Sequence, residues 1–83
     1  MRTLAPGCIE ALGRAHVDDL AEALGVQLCE GDYDSVAGWV ITALGAIPHT
    51  GDRTAIEGLE VEVLHADRKR IHRVRVTRPL GGV

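Results

Sequence analysis

The sequence predicts a small α+β domain in which a mixed or antiparallel sheet carries two short helices on one face. Two segments, residues 17–24 and 36–44, carry apolar residues at helical spacing. Residues 59–63 and 73–76 instead alternate apolar with charged side chains, which is the period of a strand with one face in a core. Because both periods occur in one short chain, we expect the helices and strands to share a single core.

The length and composition favour one folded domain. The chain has 83 residues, of which 46% are hydrophobic. We place the ordered core at about residues 8–77 and expect residues 1–7 to be a poorly structured lead-in that includes the turn Pro6-Gly7. No apolar run reaches the roughly 18 residues of a membrane-spanning helix, so we expect no direct membrane insertion.

The first part of the predicted core is a strand followed by a helix. Cys8–Leu12 is a short apolar run typical of a strand, and Gly13-Arg14 turns the chain. The apolar face of this helix comprises Val17, Leu20, Ala21 and Leu24. Gly25 ends it, whereas His16 is a poor N-cap and leaves its start undefined.

The second helix follows an acidic loop and is the best-defined element of the sequence. Asp34 and Ser35 both carry side-chain oxygens suited to the N-cap. The expected apolar face comprises Val36, Val40, Ala43 and Leu44. Gly45 suits a left-handed C-terminal cap, and Pro48 prevents the helix from continuing.

Two further glycines mark special positions. Gly38 lies inside the second helix, where glycine costs about 1 kcal/mol relative to alanine, so we expect a neighbour to pack tightly against it. Gly51 belongs to the turn Thr50-Gly51-Asp52. A short strand, Arg53–Ile56, and the hairpin turn Glu57-Gly58 come next.

The last two strands can be aligned by charge. Alternation and opposite charge predict a regular antiparallel ladder, in which the residue numbers of each facing pair have the same sum. The predicted pairs are Leu59 with Val76, Glu60 with Arg75, Val61 with Val74, Glu62 with Arg73, and Leu64 with Ile71.

The charge of the chain is unevenly distributed. Residues 1–67 have a balance of −9 and residues 68–83 a balance of +6. A basic segment of this kind can contact nucleic acid. Pairing with the acidic strand beside it explains the segment without such a ligand, and we predict no nucleic-acid partner.

Three alternating acids form the candidate metal site. Glu30, Asp32 and Asp34 offer the carboxylates that Mg²⁺ and Ca²⁺ prefer, although their spacing does not complete a calcium-binding loop. The alternative, which we favour, is a solvated loop that caps the second helix.

The histidines and cysteines give weaker signals. His65 and His72 are expected to approach each other near the last hairpin and would supply two ligands of a metal site at most. Cys8 and Cys29 lack a basic neighbour that would lower the thiol pKa, so we expect them to act as small apolar side chains.

The sequence predicts a binding domain that is not an enzyme. No nucleophile elbow, phosphate-binding loop or dinucleotide motif occurs, and Ser35, the only serine, is explained as a cap. No catalytic residue and no required cofactor are therefore predicted. Contact with protein is the expected mode of action, with candidate contact residues Tyr33, Trp39, Arg73 and Arg75.

Several motifs, in order, resemble one known family. They are Gly13-Arg14, Gly31-Asp32-Tyr33-Asp34-Ser35-x-Ala37-Gly38, Leu44-Gly45-x-Ile47-Pro48, Gly51-Asp52 and Arg70-Ile71-x-Arg73-Val74-x-Val76. Together they resemble the transporter-associated domain of the CorC/HlyC family. The family often has Asp-Gly at the last hairpin, where this chain has Asp67-Arg68, so the geometry of that turn is open.

The resemblance implies a location and partners. It implies a cytoplasmic accessory domain at the C-terminus of an integral membrane protein linked to magnesium and cobalt efflux or labelled a hemolysin. The membrane part and the CBS pair of the same parent would be its partners, and a homodimer is a further option. The family's fold is similar to a subdomain of FAD-binding, PCMH-like domains, which leaves a flavin- or nucleotide-binding module as the alternative function. FAD would be the bound group in that alternative, and the family's link to metal transport leaves a divalent cation as a separate option for the acidic loop.

Overall fold

The structure of the protein is a computed structural model, and it describes residues 1–28, 31 and 33–79. Within these residues the elements are β1 (Arg2–Ala5), β2 (Cys8–Leu12), α1 (Val17–Leu24), α2 (Val36–Leu44), β3 (Arg53–Ile56), β4 (Leu59–Ala66) and β5 (Ile71–Thr77). The strands form one antiparallel sheet in the order β1-β2-β5-β4-β3. The predicted α+β class is confirmed.

The hydrophobic core lies on one face of this sheet. Alternate residues of β2, β4 and β5 point to the same side, where both helices add their apolar faces. The buried apolar residues are Ile9, Ala11, Val17, Leu20, Leu24, Val36, Trp39, Val40, Ile56, Leu59, Val61, Val63, Ile71, Val74 and Val76. The opposite face is therefore left to the charged and polar residues between them.

The start of α1 depends on a tertiary contact. His16 is its N-cap, but the histidine side chain bonds no backbone N–H. The N–H of Val17 instead donates to the carbonyl of Asp34 at 2.9 Å, and His16 and Ser35 form an isolated β-bridge. The segment before α2 thus replaces the missing cap of α1.

The predicted boundaries of α2 are confirmed. Ser35 is the N-cap, and its Oγ accepts a hydrogen bond from the N–H of Gly38 at 3.0 Å. Gly45 has φ 77°, the left-handed conformation expected of its C-terminal cap. A Cβ added at Gly38 would lie 3.1 Å from the Tyr33 Cβ, so the expected close neighbour of this glycine is Tyr33.

The apolar face of α2 differs from the prediction. Val36 and Val40 are buried as expected, whereas Ala43 is exposed and Leu44 keeps 39% of its accessible surface. Trp39 takes their place in the core. Residues 42–46 are all exposed, so the last turn of α2 extends beyond the sheet face that the first two turns cover.

The N-terminal residues correct a second expectation. Residues 1–7 do not form an unstructured lead-in, because β1 pairs with β2 through the turn Pro6-Gly7. All four residues of β1 are exposed, so the strand buries no side chain and leaves no pattern in the sequence. Backbone hydrogen bonding to β2 defines it instead.

The predicted ladder between β4 and β5 is wrong by two residues. The observed pairs are Glu60 with Thr77, Val61 with Val76, Glu62 with Arg75, Val63 with Val74, His65 with Arg73, and Ala66 with Ile71. A shift of two keeps every side chain on its own face, so alternation cannot distinguish the two registers. The observed pairing contains irregularities on both sides of His65, which a regular ladder does not anticipate.

Candidate functional site

A row of charged residues crosses the uncovered face of the sheet. Neighbouring strands pair Arg2 with Glu10, Glu10 with Arg75, Arg75 with Glu62, and Glu62 with Arg53. The charge therefore changes sign from each strand to the next, which favours cross-strand pairing. Arg75 Nη2 donates to Glu62 Oε1, and Arg53 Nη2 lies 3.8 Å from Glu62 Oε2. We call these five residues the charged row.

Arg73 lies beside the charged row, on the same exposed face. Its Nε is 3.8 Å from Glu10 Oε2, and about half of its side chain remains accessible. The structure thus brings the two predicted contact arginines, Arg73 and Arg75, together on one surface. Their part in protein contact stays a prediction.

A basic cleft opens next to Arg73, where β2 ends and β5 begins. Its volume is about 280 Å³, and Leu12 and Ile71 supply its apolar lining. The remaining lining residues can all carry positive charge: Arg14, His65, Arg70, His72 and Arg73. The rings of His65 and His72 stack with centroids 4.8 Å apart, which confirms that they approach each other.

The loop between β4 and β5 is organised by Asp67. Its Oδ1 accepts the backbone N–H of Lys69 at 2.7 Å and of Arg70 at 2.9 Å, and His72 Nε2 lies 2.7 Å from its Oδ2. The hydrogen bond to His72, followed by those from the two N–H groups, holds the pKa of the Asp67 carboxyl well below its usual range. These bonds stabilise the loop without the glycine common in the family.

Gly13 places Arg14 against the start of β5. Its N–H donates to the carbonyl of His72 at 2.8 Å, and its own carbonyl accepts from the N–H of Ala37 at 2.9 Å. A Cβ at Gly13 would lie 2.0 Å from the carbonyl oxygen of Ile71. The sequence showed the Gly13-Arg14 turn but not that Arg14 and Arg70 would share a cleft, because they belong to different loops.

The two aromatic residues have different positions. Trp39 is only 1% exposed, and its Nε1 donates to Glu57 Oε2 at 2.8 Å, so the prediction that it offers contact surface is corrected. Tyr33 is half-buried and packs over Gly31, where a Cβ would lie 2.3 Å from the tyrosine Cε2. A contact role for the remaining surface of Tyr33 stays a prediction.

The acidic loop is described only in part. Asp34 is exposed, while Glu30 and Asp32 lie outside the described residues, so the three-carboxylate site stays a prediction. Residues 1–28, 31 and 33–79 contain no group of three or more histidine, cysteine or acidic side chains placed to hold a metal ion. The cap role falls to Ser35, and Asp34 contributes its backbone carbonyl to α1.

Three other predicted residues occupy structural positions. Pro48 is buried after α2, and Gly51 has φ 92° in the turn before β3. Cys8 is half-buried and accepts a long hydrogen bond from Thr77 Oγ1 at 3.6 Å, whereas Cys29 lies outside the described residues. Among the described helices, none has the length and apolar character needed to cross a membrane.

Sequence comparison relates the chain to transport proteins. The CorC/HlyC family model, described as a transporter-associated domain, matches residues 2–79. The magnesium and cobalt efflux protein CorC of Escherichia coli K12 is 34% identical over 65 residues. That match covers 78% of this chain but only 22% of the E. coli protein. The chain therefore spans about a fifth of the length of this curated relative.

Solved structures of similar chains have the same fold. The CorC-associated region of a putative Mg²⁺ and Co²⁺ transporter from Neisseria meningitidis superposes with a TM-score of 0.84 at 26% identity, over 94% of this chain and 96% of that chain. The transporter-associated domain of a Xylella fastidiosa hemolysin, solved in complex with Mg²⁺ and Mn²⁺, has a TM-score of 0.75 at 28% identity. That alignment covers 95% of each chain.

Proposed function

Since the chain belongs to the CorC/HlyC family of transporter-associated domains, we propose that it is a non-catalytic accessory domain of a membrane protein that exports divalent cations. The observation that carries this proposal is its match to one fifth of a relative named for magnesium and cobalt efflux. The domain would lie on the cytoplasmic side, at the C-terminus of its parent, and modulate transport or assembly.

The proposed mode of action is protein contact through the uncovered sheet face. The charged row and Arg73 present both signs of charge on this face, which suits a polar and specific interface. The edge strands β1 and β3 add backbone groups that can pair with another chain. We propose as partners the membrane part and the CBS domains of the same parent, or a second copy of this domain.

The proposal can be tested by measuring the rate of cation export and the oligomeric state of the parent protein in two variants. One variant lacks residues 8–77. A second carries Gly13→Leu, which keeps the chain length but places a side chain where Ile71 O leaves no space. Both changes are expected to alter export rate or oligomeric state to a similar extent. Unchanged export and unchanged assembly in both variants would reject an accessory role.

The visible absorption spectrum of the purified domain addresses the alternative function. A protein that binds no flavin gives no flavin bands. If the domain instead retained FAD at one equivalent per chain, flavin binding would replace the accessory role as the proposed function.

We propose further that the acidic loop binds a divalent cation. Support comes from the Xylella relative solved with Mg²⁺ and Mn²⁺, and from the carboxylates of Glu30, Asp32 and Asp34. Calorimetric titration with Mn²⁺ should show binding that Asp32→Asn removes. Asp18→Asn, which removes one acid from α1, is the matched control and should leave binding intact. Absence of heat at millimolar Mn²⁺ would argue against the site.

A further inference from the structure

We infer that the basic cleft binds a phosphate-type oxyanion. Five side chains able to carry positive charge line a space of about 280 Å³, and they come from the turn after β2, the end of β4, the β4–β5 loop and the start of β5. Phosphate groups are commonly held by several cationic side chains that converge on them. The inference concerns a surface of the domain itself and does not depend on its role in transport.

The acidic residues near the cleft do not neutralise all of its cationic side chains. Asp67 accepts from His72 and from two backbone N–H groups, and Glu10 lies 3.8 Å from Arg73. Neither Arg14 nor Arg70 takes part in an ion pair among the described residues. These two guanidinium groups therefore remain available for an anion.

Backbone contacts hold both arginines at the cleft. Gly13, the residue before Arg14, donates its N–H to the carbonyl of His72. The N–H of Arg70 donates to Asp67 Oδ1 at 2.9 Å. Because the backbone is already fixed, closing the side chains on an anion costs only their own rotamer freedom. Arg14 and Arg70 thus line one cleft from two different loops, and Leu12 and Ile71 supply its apolar lining.

The charge and size of the cleft favour a dianion over a carboxylate. Arg73 already has Glu10 beside it, whereas Arg14 and Arg70 form no ion pair among the described residues, so a single negative charge would balance only one of these two arginines. The planar guanidinium group binds two oxygens of a phosphate at once. The volume of about 280 Å³ is just below the usual range of ligand pockets, about 300–1,000 Å³, and therefore suits the phosphate group more than a whole nucleotide.

Sulfate is a suitable probe because its charge does not change near neutral pH. We would titrate the chain of 83 residues with sodium sulfate at constant ionic strength, using chloride as the balancing salt, and follow backbone amide shifts by NMR. Saturable shifts should be confined to residues 12–14 and 65–73. No saturable shift, or shifts spread over the whole sheet, would overturn the inference.

Two cleft variants and one matched control identify the site. Arg14→Gln and Arg70→Gln should each weaken sulfate binding about tenfold, since a hydrogen bond to a charged group contributes that much. Arg53→Gln makes the same charge change on β3, outside the cleft, and should change binding less than about twofold. An equal loss in all three variants would show a response to net charge alone and would reject the site.

Comparison of ligands identifies the source of the oxyanion. Tighter binding of ADP than of inorganic phosphate would assign the site to the phosphate of a nucleotide. Equal affinity for ADP and inorganic phosphate would assign it to free phosphate. Tighter binding of acetate than of either would show a carboxylate site and overturn the inference.

Discussion

At the scale of single residues, Gly13 has the tightest packing requirement. Its Cβ would lie 2.0 Å from a backbone carbonyl oxygen that cannot move without disturbing β5. Gly13→Ala should lower the free energy of unfolding by about 2 kcal/mol or more, the upper part of the range for overpacking. Thermal and urea unfolding would measure it.

The control for this change is Gly45→Ala. Gly45 has φ 77° and nothing within 4 Å of an added Cβ, so the substitution costs only the left-handed conformation, about 1 kcal/mol. If Gly13→Ala were no more destabilising than Gly45→Ala, the close contact with Ile71 would not constrain the fold.

Asp67 should make stability depend on pH. Its folded-state pKa is lowered, so its contribution is present above the unfolded pKa of about 3.9 and is lost as the pH falls below that value. Asp67→Asn keeps an oxygen that can accept the loop N–H groups but removes the charge. The wild type should be more stable than this variant at about pH 6, and the difference should shrink as the pH falls below about 4.

Chemical unfolding across this pH range measures the effect of Asp67. Asp18→Asn, on the exposed side of α1, shows the effect of losing an ordinary surface carboxylate. A difference between wild type and Asp67→Asn that stayed constant from about pH 6 to about pH 3 would contradict the assignment.

At the scale of elements, one ion pair reports the register of β4 and β5. Glu62 pairs with Arg75 in the structure, whereas regular alternation had favoured Arg73. A double-mutant cycle on Glu62 and Arg75 should give a coupling of about 0.2–1 kcal/mol, typical of cross-strand charge pairs. The parallel cycle on Glu62 and Arg73 should give a smaller value. The reverse order would support the register shifted by two residues.

At the scale of the whole molecule, β1 adds to the sheet but not to the core. All of its residues are exposed, and every other strand supplies at least one buried residue. A chain without residues 1–6 should therefore unfold cooperatively at a lower temperature, having lost backbone hydrogen bonds worth about 0.5–1.5 kcal/mol each. Hydrogen exchange should become faster in β2 and stay unchanged in β3. Loss of cooperative unfolding would show that β1 is required for the fold.

The functional surfaces could be predicted only in part. Arg73 and Arg75 follow from strand alternation, and both lie on the uncovered face. The basic cleft could not be predicted, because Arg14 and Arg70 are far apart in the chain and meet only through the pairing of β2 with β5. Ala43 and Leu44 are exposed, contrary to the prediction, because the sequence does not say how far a helix extends beyond its sheet.

The sequence by itself determined the helices, their glycine ends and the strands that carry one apolar face. Those features depend on residues a few positions apart, such as Ser35 with Gly38, or on alternation within a strand. Only the tertiary structure decided the strand β1, the register of β4 with β5 and the start of α1. Each of these is set by backbone hydrogen bonds between one segment and another, and backbone groups are the same in nearly every residue, so they leave no pattern in the side chains.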